Sequence, residues 1–304
     1  MLILAFDTTS EKGGVGIFRD TECLASVPNQ GPANQYSITL FEMVGRALAQ
    51  AHLELRAINL YAAANGPGSF TGIRVGLAAA RAWGKAFDRR VRGVSVLEAM
   101  VNKACQRVIR ESLPSPGEEG ARPRRAGEGF LPSQGSPGPE WYFPILDARR
   151  GEFFLASFRK TTHVGASGAG PEAERCSALR LVQPRSDLAL KGGTPLSGAS
   201  ATGQDYEPAD GGWVLKPESL RAFVEERLTS GASATCLVRA HDQAATDLRA
   251  SLPASLNWQQ IEGALVDSIA DIARREEQSS RPCPDAKLDA YYIRRPDAEV
   301  NWKD

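Results

Sequence analysis

Apolar positions along the chain change spacing from unbroken or every second residue to every third or fourth and back, and this alternation lays out the elements. Leu2-Ile3-Leu4-Ala5-Phe6 is a short apolar run closed by Asp7, a buried strand candidate. Val15-Gly16-Ile17-Phe18 and Cys23-Leu24-Ala25-Ser26-Val27, parted by the polar turn from Arg19 to Glu22, predict a hairpin, so the first three strands form an antiparallel meander. From Ser37 to His52 the apolar residues Leu40, Phe41, Val44 and Leu48 recur on one face, with Glu42, Arg46 and Gln50 turned outward, which predicts an amphipathic helix. Ile58 to Ala64 reads as a strand, Val91 to Ser95 as another, and Val96 to Val108 as a helix. Further on, Trp141 to Asp147 and Glu152 to Phe158 predict a second hairpin across Ala148-Arg149-Arg150-Gly151, and Ala178 to Gln183 a strand. Pro217 to Leu228 starts with a helix-favouring Pro and places Leu220, Phe223, Val224 and Leu228 on one face. Ile261, Leu265, Ile269 and Ile272 predict a longer helix from Trp258 to about Glu277, and the tail from Ala290 to Glu299 reads as extended and charged. A strand-rich opening followed by alternating helix and strand implies an α/β protein.

Between the Ile58 strand and the next helix lies Asn65-Gly66-Pro67-Gly68-Ser69-Phe70-Thr71-Gly72-Ile73-Arg74-Val75-Gly76, a strand, a glycine-rich turn and a helix start. Pro67 fixes its own φ while the flanking glycines accept dihedrals closed to other residues, and Ser69 or Thr71 can cap the helix. Ile73, Leu77, Ala80, Gly84 and Phe87 make its buried face; Gly72, Gly76, Ala80 and Gly84 fall every four residues along nearly the same line. Each interior helix glycine costs about 0.5–1 kcal/mol relative to Ala, so several together imply a close backbone approach, expected to be a second helix. Arg74, Arg81 and Lys85 form a short basic edge on the other side. The stretch is either a plain connection to a core helix or a phosphate-cradling turn or docking helix. It lacks the Gly-Lys-Ser/Thr of a P-loop.

Composition narrows the chemistry. Over 304 residues, 42% hydrophobic and 24% charged, the chain can hold one large or two modest domains. Basic and acidic residues number 36 each, which leaves no net positive charge to hold a polyanion. Five scattered cysteines without Cys-x-x-Cys spacing fit reduced thiols in a cytoplasmic protein, and the opening apolar run is too short for a signal peptide or a membrane span. From Glu111 to Glu140 Pro, Gly, Ser, Glu and Arg dominate, a composition that predicts a disordered insertion. Its Arg122-Pro123-Arg124-Arg125 reads as a solvated charge run.

His52, His163 and His241 stand apart, with no His-x-x-x-His pair to bind zinc or iron, and no Gly-x-Ser-x-Gly elbow occurs. Asp147 is either a turn aspartate or a catalytic carboxylate. Asp7-Thr8-Thr9-Ser10, a carboxylate and three hydroxyls at a strand end, is either a self-bonded turn or a phosphate or metal-water site.

Five segments carry a family resemblance: Ile3-Leu4-Ala5-Phe6-Asp7-Thr8-Thr9, the run Gly66 to Gly76, Gly93-Val94-Ser95-Val96-Leu97-Glu98-Ala99, Leu146-Asp147-Ala148-Arg149-Arg150-Gly151-Glu152, and Tyr292-Ile293-Arg294. On these the chain resembles the TsaB (YeaZ) family, the dimerisation subunit of the bacterial machinery that makes threonylcarbamoyladenosine in tRNA. The resemblance covers residues 1–105 and 141–158 well, then thins until the tail. It implies an actin-like, hexokinase-like two-lobed α/β fold, each lobe a mixed sheet flanked by helices, with residues 1–110 as the first lobe, 111–140 as the insertion and 141–304 as the second lobe and tail.

It also implies a non-catalytic subunit that pairs with TsaD, the catalytic relative that carries the metal-binding histidines, and helps recruit the ATPase TsaE. The family's pairing surface lies on the first two helices. Carried onto this sequence, those are Ser37–Ala51, with Leu40, Phe41, Val44 and Leu48, and Thr71–Phe87, with Gly72, Ile73, Gly76, Leu77, Ala80 and Gly84. TsaD or a second copy of the chain would use that ridge, and a large residue at Gly76 or Ala80 is expected to abolish pairing while sparing the fold. Asp7, Thr8 and Thr9 are expected to be a remnant phosphate site. No cofactor is expected, a nucleotide only at a shared interface, and tRNA only indirectly through the complex.

The chain departs from the family pattern in three places. Asn34-Gln35-Tyr36-Ser37 lacks the histidine that commonly precedes the first helix, the insertion is additional, and Lys191-Gly192-Gly193-Thr194 lacks the aspartate of a second phosphate turn. The alternatives are a stand-alone actin-like enzyme, either a glycoprotease-type peptidase or an ATPase or kinase, and a direct tRNA-binding module.

Overall fold

The computed structural model describes residues 1–32, 35–112, 141–160, 179–181, 212–228, 233–279 and 290. Five strands make a first sheet: β1 (Leu2–Asp7), β2 (Gly14–Arg19), β3 (Glu22–Pro28), β4 (Leu60–Gly66) and β5 (Arg90–Ser95), in the order β3-β2-β1-β4-β5. The meander β1 to β3 is antiparallel, as the hairpin spacing predicts; β4 joins β1, and β5 joins β4, in parallel. Parallel neighbours need a crossover, and α2 (Phe70–Phe87) supplies it between β4 and β5. Helix α1 (Tyr36–Ala51) follows β3 and α3 (Val96–Ser112) follows β5.

The second half repeats this plan. β6 (Trp141–Arg149), β7 (Glu152–Leu155), β10 (Trp213–Leu215), β11 (Ala234–Arg239) and β12 (Asn257–Gln260) are ordered β10-β7-β6-β11-β12, with the same sequence of antiparallel and parallel pairings. Short strands β8 (Phe158–Lys160) and β9 (Leu179–Leu181) pair with each other, and β8 with β6. Helix α4 (Pro217–Arg227) follows β10, α5 (Asp242–Ser251) crosses from β11 to β12, and α6 (Val266–Gln278) follows β12.

Side-chain alternation along the strands divides the core into layers. Leu4, Phe6, Val15 and Ile17 face outward onto α1 and α2, while Ile3, Ala5, Leu60 and Ala62 face inward onto α3 and α6. In the second sheet Tyr142, Leu146 and Phe154 join that same central layer, and Phe143, Ile145, Phe153 and Leu155 pack outward on α4 and α5. Two sheets thus clasp a shared pair of helices, and each carries its own pair outside. Among the described residues no helix is long and apolar enough to cross a membrane.

Two expectations for the second half need correction. Trp258 belongs to β12, and its helix begins only at Val266: Trp258 pairs with Cys236 of β11, and Gly263 turns the chain at φ 69° before α6. Ile261 and Leu265 keep helical spacing with Ile269, but they are buried ahead of the helix. The expected strand Glu152 to Phe158 is interrupted at Ala156 and Ser157, so Phe158 opens β8. The strands β10 and β11 and helix α5 were unforeseen. Of the expected insertion 111–140, Glu111 and Ser112 instead end α3; residues 113–140, His163, residues 182–211 with Lys191 to Thr194, and the tail beyond Ala290 lie outside the described residues.

Candidate functional site

The turn from β1 to β2 and the start of α2 form one unit. Asp7 is fully buried; its Oδ1 accepts from the Thr9 amide at 3.0 Å and from the Thr9 hydroxyl at 2.6 Å, the geometry of a self-bonded turn, one of the two readings the sequence leaves open. The Thr9 carbonyl accepts from the Ser69 amide at 2.7 Å, and Ser69 caps α2 by accepting from the Gly72 amide at 3.3 Å. Thr8 donates its hydroxyl to the Gly72 carbonyl at 2.7 Å. On the other side of the turn, the buried Tyr36 hydroxyl donates to the Ser10 carbonyl at 2.8 Å, and burial pushes its pKa above the usual tyrosine value.

A cation from the second lobe closes this unit. Arg239, at the end of β11 and 3% exposed, donates from Nη1 to Asp7 Oδ2 at 3.0 Å. From Nη2 it reaches the Lys12 carbonyl at 3.0 Å and the Gly263 carbonyl at 3.2 Å. Both carboxylate oxygens of Asp7 are therefore engaged within the chain. The expected phosphate remnant Asp7-Thr8-Thr9 is a filled joint between the lobes, and Arg239 lies where sequence reasoning found nothing. Its signal was a single Arg ending the apolar run Ala234 to Val238.

The glycine ridge of α2 faces this joint. A Cβ on Gly72 would lie 1.9 Å from the Thr8 carbonyl oxygen, one on Gly76 2.4 Å from Thr8 Oγ1, and one on Gly84 2.4 Å from Val91 Cγ2. The close approach inferred from the glycines is real, but its partner is the chain's own turn and β5. Gly72, Ile73, Gly76, Leu77, Ala80 and Gly84 are all buried by the chain itself, as are Leu40 and Val44, while Leu48 is half-buried. A Leu at Gly76 or Ala80 would therefore strike the fold, which corrects the expectation that the fold would be spared.

Of the ten residues assigned to pairing, Phe41 alone is exposed. Two further residues that the spacing argument did not single out are exposed with it on the same two helices: Ile38 is 78%, Phe41 59% and Phe70 38% exposed, the large hydrophobics on the surface of the described residues. The Phe41 ring meets Trp83 edge-on at 5.7 Å across the contact between α1 and α2, and Trp83 in turn meets Phe6 and Tyr61. The Arg74 guanidinium stacks 3.9 Å from the Phe70 ring centroid, and the exposed Arg81 and Lys85 continue a basic edge along α2. Gly45, also exposed on α1, has open space where its Cβ would be.

The remaining candidates among the described residues make local contacts. Asp147 Oδ1 accepts from the Arg149 amide at 2.6 Å, the turn role. His52 ends α1 in the left-handed conformation, and His241 lies 3.5 Å from Glu11 on the surface. Burial raises the Cys236 thiol to about 12, so it stays protonated at neutral pH. Among the described residues no group of three or more His, Cys, Asp or Glu side chains converges on one point.

Two sheets of one strand order, joined through a common helix layer, define the actin-like two-lobed class. The solved structures of YeaZ from Pseudomonas aeruginosa and of a Pseudomonas aeruginosa protein with similarity to peptidase YEAZ share it. Their TM-scores are 0.59 and 0.58, each at 16% identity and spanning 96% of this chain and 99% of theirs. A family profile described as TsaD, tRNA N6-adenosine threonylcarbamoyltransferase, matches residues 27–114, the segment holding α1, α2 and α3. The tRNA threonylcarbamoyladenosine biosynthesis protein TsaB of Buchnera aphidicola subsp. Schizaphis graminum is 25% identical over 112 residues, 37% of this chain. The matched stretch spans about half, 52%, of that relative's length. The chain is thus similar in fold to the YeaZ structures and, over its matched stretches, in sequence to a TsaB protein and to the TsaD profile.

Proposed function

We propose that this chain is a non-catalytic scaffold in the biosynthesis of threonylcarbamoyladenosine in tRNA, pairing with a TsaD-type catalytic subunit and assisting a TsaE-type ATPase. The observation that carries the reading is the patch of Ile38, Phe41 and Phe70 on the outer face of α1 and α2. Three large exposed apolar side chains on these two helices, of which Phe41 meets Trp83, with cations along α2, have the composition of an interface centre with a polar rim. The partner would offer apolar side chains to the patch and carboxylates to Arg74, Arg81 and Lys85. TsaD-type subunits and a second copy of this chain compete for the same face in this reading, and tRNA meets the chain only through the assembled complex. The TsaB name of the Buchnera relative and the TsaD profile over residues 27–114 support the pathway.

The experiment is threonylcarbamoyladenosine formation on tRNA in a reconstituted mixture of TsaD, TsaE, the carbamoyl-adenylate-forming enzyme, ATP, threonine and bicarbonate, with and without this chain. Product that depends on the chain is expected. Equal product without it would remove the reading and return attention to a stand-alone actin-like enzyme, tested by metal content and ATP turnover of the purified chain.

A further inference from the structure

The buried pair of Arg239 and Asp7 joins the lobes, and the hydrogen bonds leading from it end at the helix that carries Phe70, one of the three exposed apolar side chains. Asp7 Oδ2 receives the Arg239 Nη1 proton at 3.0 Å, and Asp7 Oδ1 fixes Thr9 through its amide and hydroxyl at 3.0 and 2.6 Å. The Thr9 carbonyl then holds the Ser69 amide at 2.7 Å, and the residue after Ser69 is Phe70. Thr8 adds a parallel link by donating to the Gly72 carbonyl, one turn into α2. The fit is close along the whole route, since a Cβ on Gly68 would lie 2.6 Å from the Thr9 carbonyl oxygen and one on Gly72 1.9 Å from that of Thr8.

We propose that Arg239 is a positioning residue for the docking face: the second lobe, whose described residues add no large exposed apolar side chain to that face, sets the position of the α2 N-terminus and Phe70 through Asp7, Thr9 and Ser69. This rests on the reading of that face as a docking surface, but the mechanical link does not. A buried carboxylate whose guanidinium partner is withdrawn must rehydrate or move. In either case the turn that holds Ser69 loses its anchor, and the first turn of α2 loosens. Arg239 also grips the Lys12 and Gly263 carbonyls, so one side chain ties the β1–β2 turn to the loop ahead of α6.

The test is residue-resolved amide hydrogen exchange on the full chain, together with affinity for a TsaD-type subunit. In Arg239→Gln, exchange at Thr9 and at Ser69 to Ile73 should rise tenfold or more while the β2 amides Val15 to Phe18 stay protected, and partner affinity should fall about tenfold. Arg239→Lys, which keeps the charge but not the three-way grip, should lie between wild type and Arg239→Gln. The double variant Asp7→Asn, Arg239→Gln should recover part of the protection, because no lone buried charge remains. Unchanged exchange at Ser69 to Ile73 in both single variants would overturn the proposal. So would a uniform rise across the whole sheet, which marks a general stabiliser. Should Arg239→Gln not fold, Arg239→Lys and the wild-type protein decide: Thr9 and Ser69 must exchange in the same slow class as β11 amides, and fast exchange there defeats the idea. Phe41→Glu separates the two readings, since partner binding that survives it defeats the docking surface and leaves the exchange result standing.

Discussion

Gly72 lies directly against Thr8: the Thr8 hydroxyl donates to the Gly72 carbonyl at 2.7 Å, and a Cβ at position 72 would be 1.9 Å from the Thr8 carbonyl oxygen. The obstacle is backbone, which cannot swing aside as a side-chain tip does. Gly72→Ala should therefore destabilise the chain by about 3 kcal/mol, the upper part of the overpacking range. Gly76→Ala meets a rotatable hydroxyl, Thr8 Oγ1 at 2.4 Å, and should cost about 1–2 kcal/mol. Urea unfolding of both variants checks the order, and a Gly72→Ala midpoint equal to wild type would refute the packing account.

Gly45 provides the opposite case. It lies within α1, exposed, with nothing within 4 Å of its added Cβ. Gly45→Ala should stabilise the isolated chain by about 0.5–1 kcal/mol, the helix propensity difference. A loss of stability in thermal unfolding would show that the position is more constrained than its surroundings indicate.

Phe41→Glu and Ile38→Glu test the outer face itself. Both side chains are more than half exposed, so each variant should keep its unfolding free energy within about 0.5–1 kcal/mol of wild type. Each should nonetheless weaken co-purification with a TsaD-type subunit by tenfold or more, as a charge at an interface centre does. Retained stoichiometry in both variants would clear this face of any docking role.

Asp271 gives a pH dependence. Burial pushes its carboxyl upward, but the Arg275 charge and the hydrogen bonds from Arg274 at 2.8 Å and Asn102 at 3.2 Å outweigh this, and the group lies below the usual carboxylate range. With its folded value depressed, its contribution to stability is present above the unfolded value of about 3.9 and is lost as pH falls through the folded value. Asp271→Asn should therefore be less stable than wild type at pH 7, and the gap should shrink as the pH is lowered toward 2. Urea titrations at both pH values measure it, and a gap that does not narrow would contradict the assignment.

The first lobe was legible because its elements are signalled locally. Alternation marks β1 to β3, the Ser69 cap and the glycine spacing mark α2, and boundaries fall within a residue or two of expectation except at the end of α3, which runs four residues past Val108. The second lobe was harder, because β11 and β12 are fixed by each other. Thr235, Cys236, Leu237 and Val238 pair with Asn257, Trp258, Gln259 and Gln260, whose polar members give no strand signal alone. Without β11, the Ile261 and Leu265 spacing extended α6 backward. The site failed differently: glycine spacing correctly announced a close contact, but one-dimensional periodicity cannot say whether the neighbour belongs to the same chain. The outward residues Ile38 and Phe70 fell off the apolar stripe, and Arg239 required knowing that β11 ends beside β1.

The shared central layer has a consequence for how the two halves depend on each other. Helix α6 is encoded in the second half but lies against β1, β2, β4 and β5 of the first sheet, and α3 is encoded in the first half but touches β6 and β11. Arg92, 2% exposed on β5, is held by Glu277 of α6 at 2.8 Å, and Lys103 of α3 by the Ala264 carbonyl at 2.7 Å. Each half thus lends the other a lid, and a gene fragment that stops after α3 would encode a sheet that has lost α6 from its inner face, where Ile3 and Ala5 of β1 lie. The two halves share one architecture, yet each buries part of its core against a helix that the other encodes.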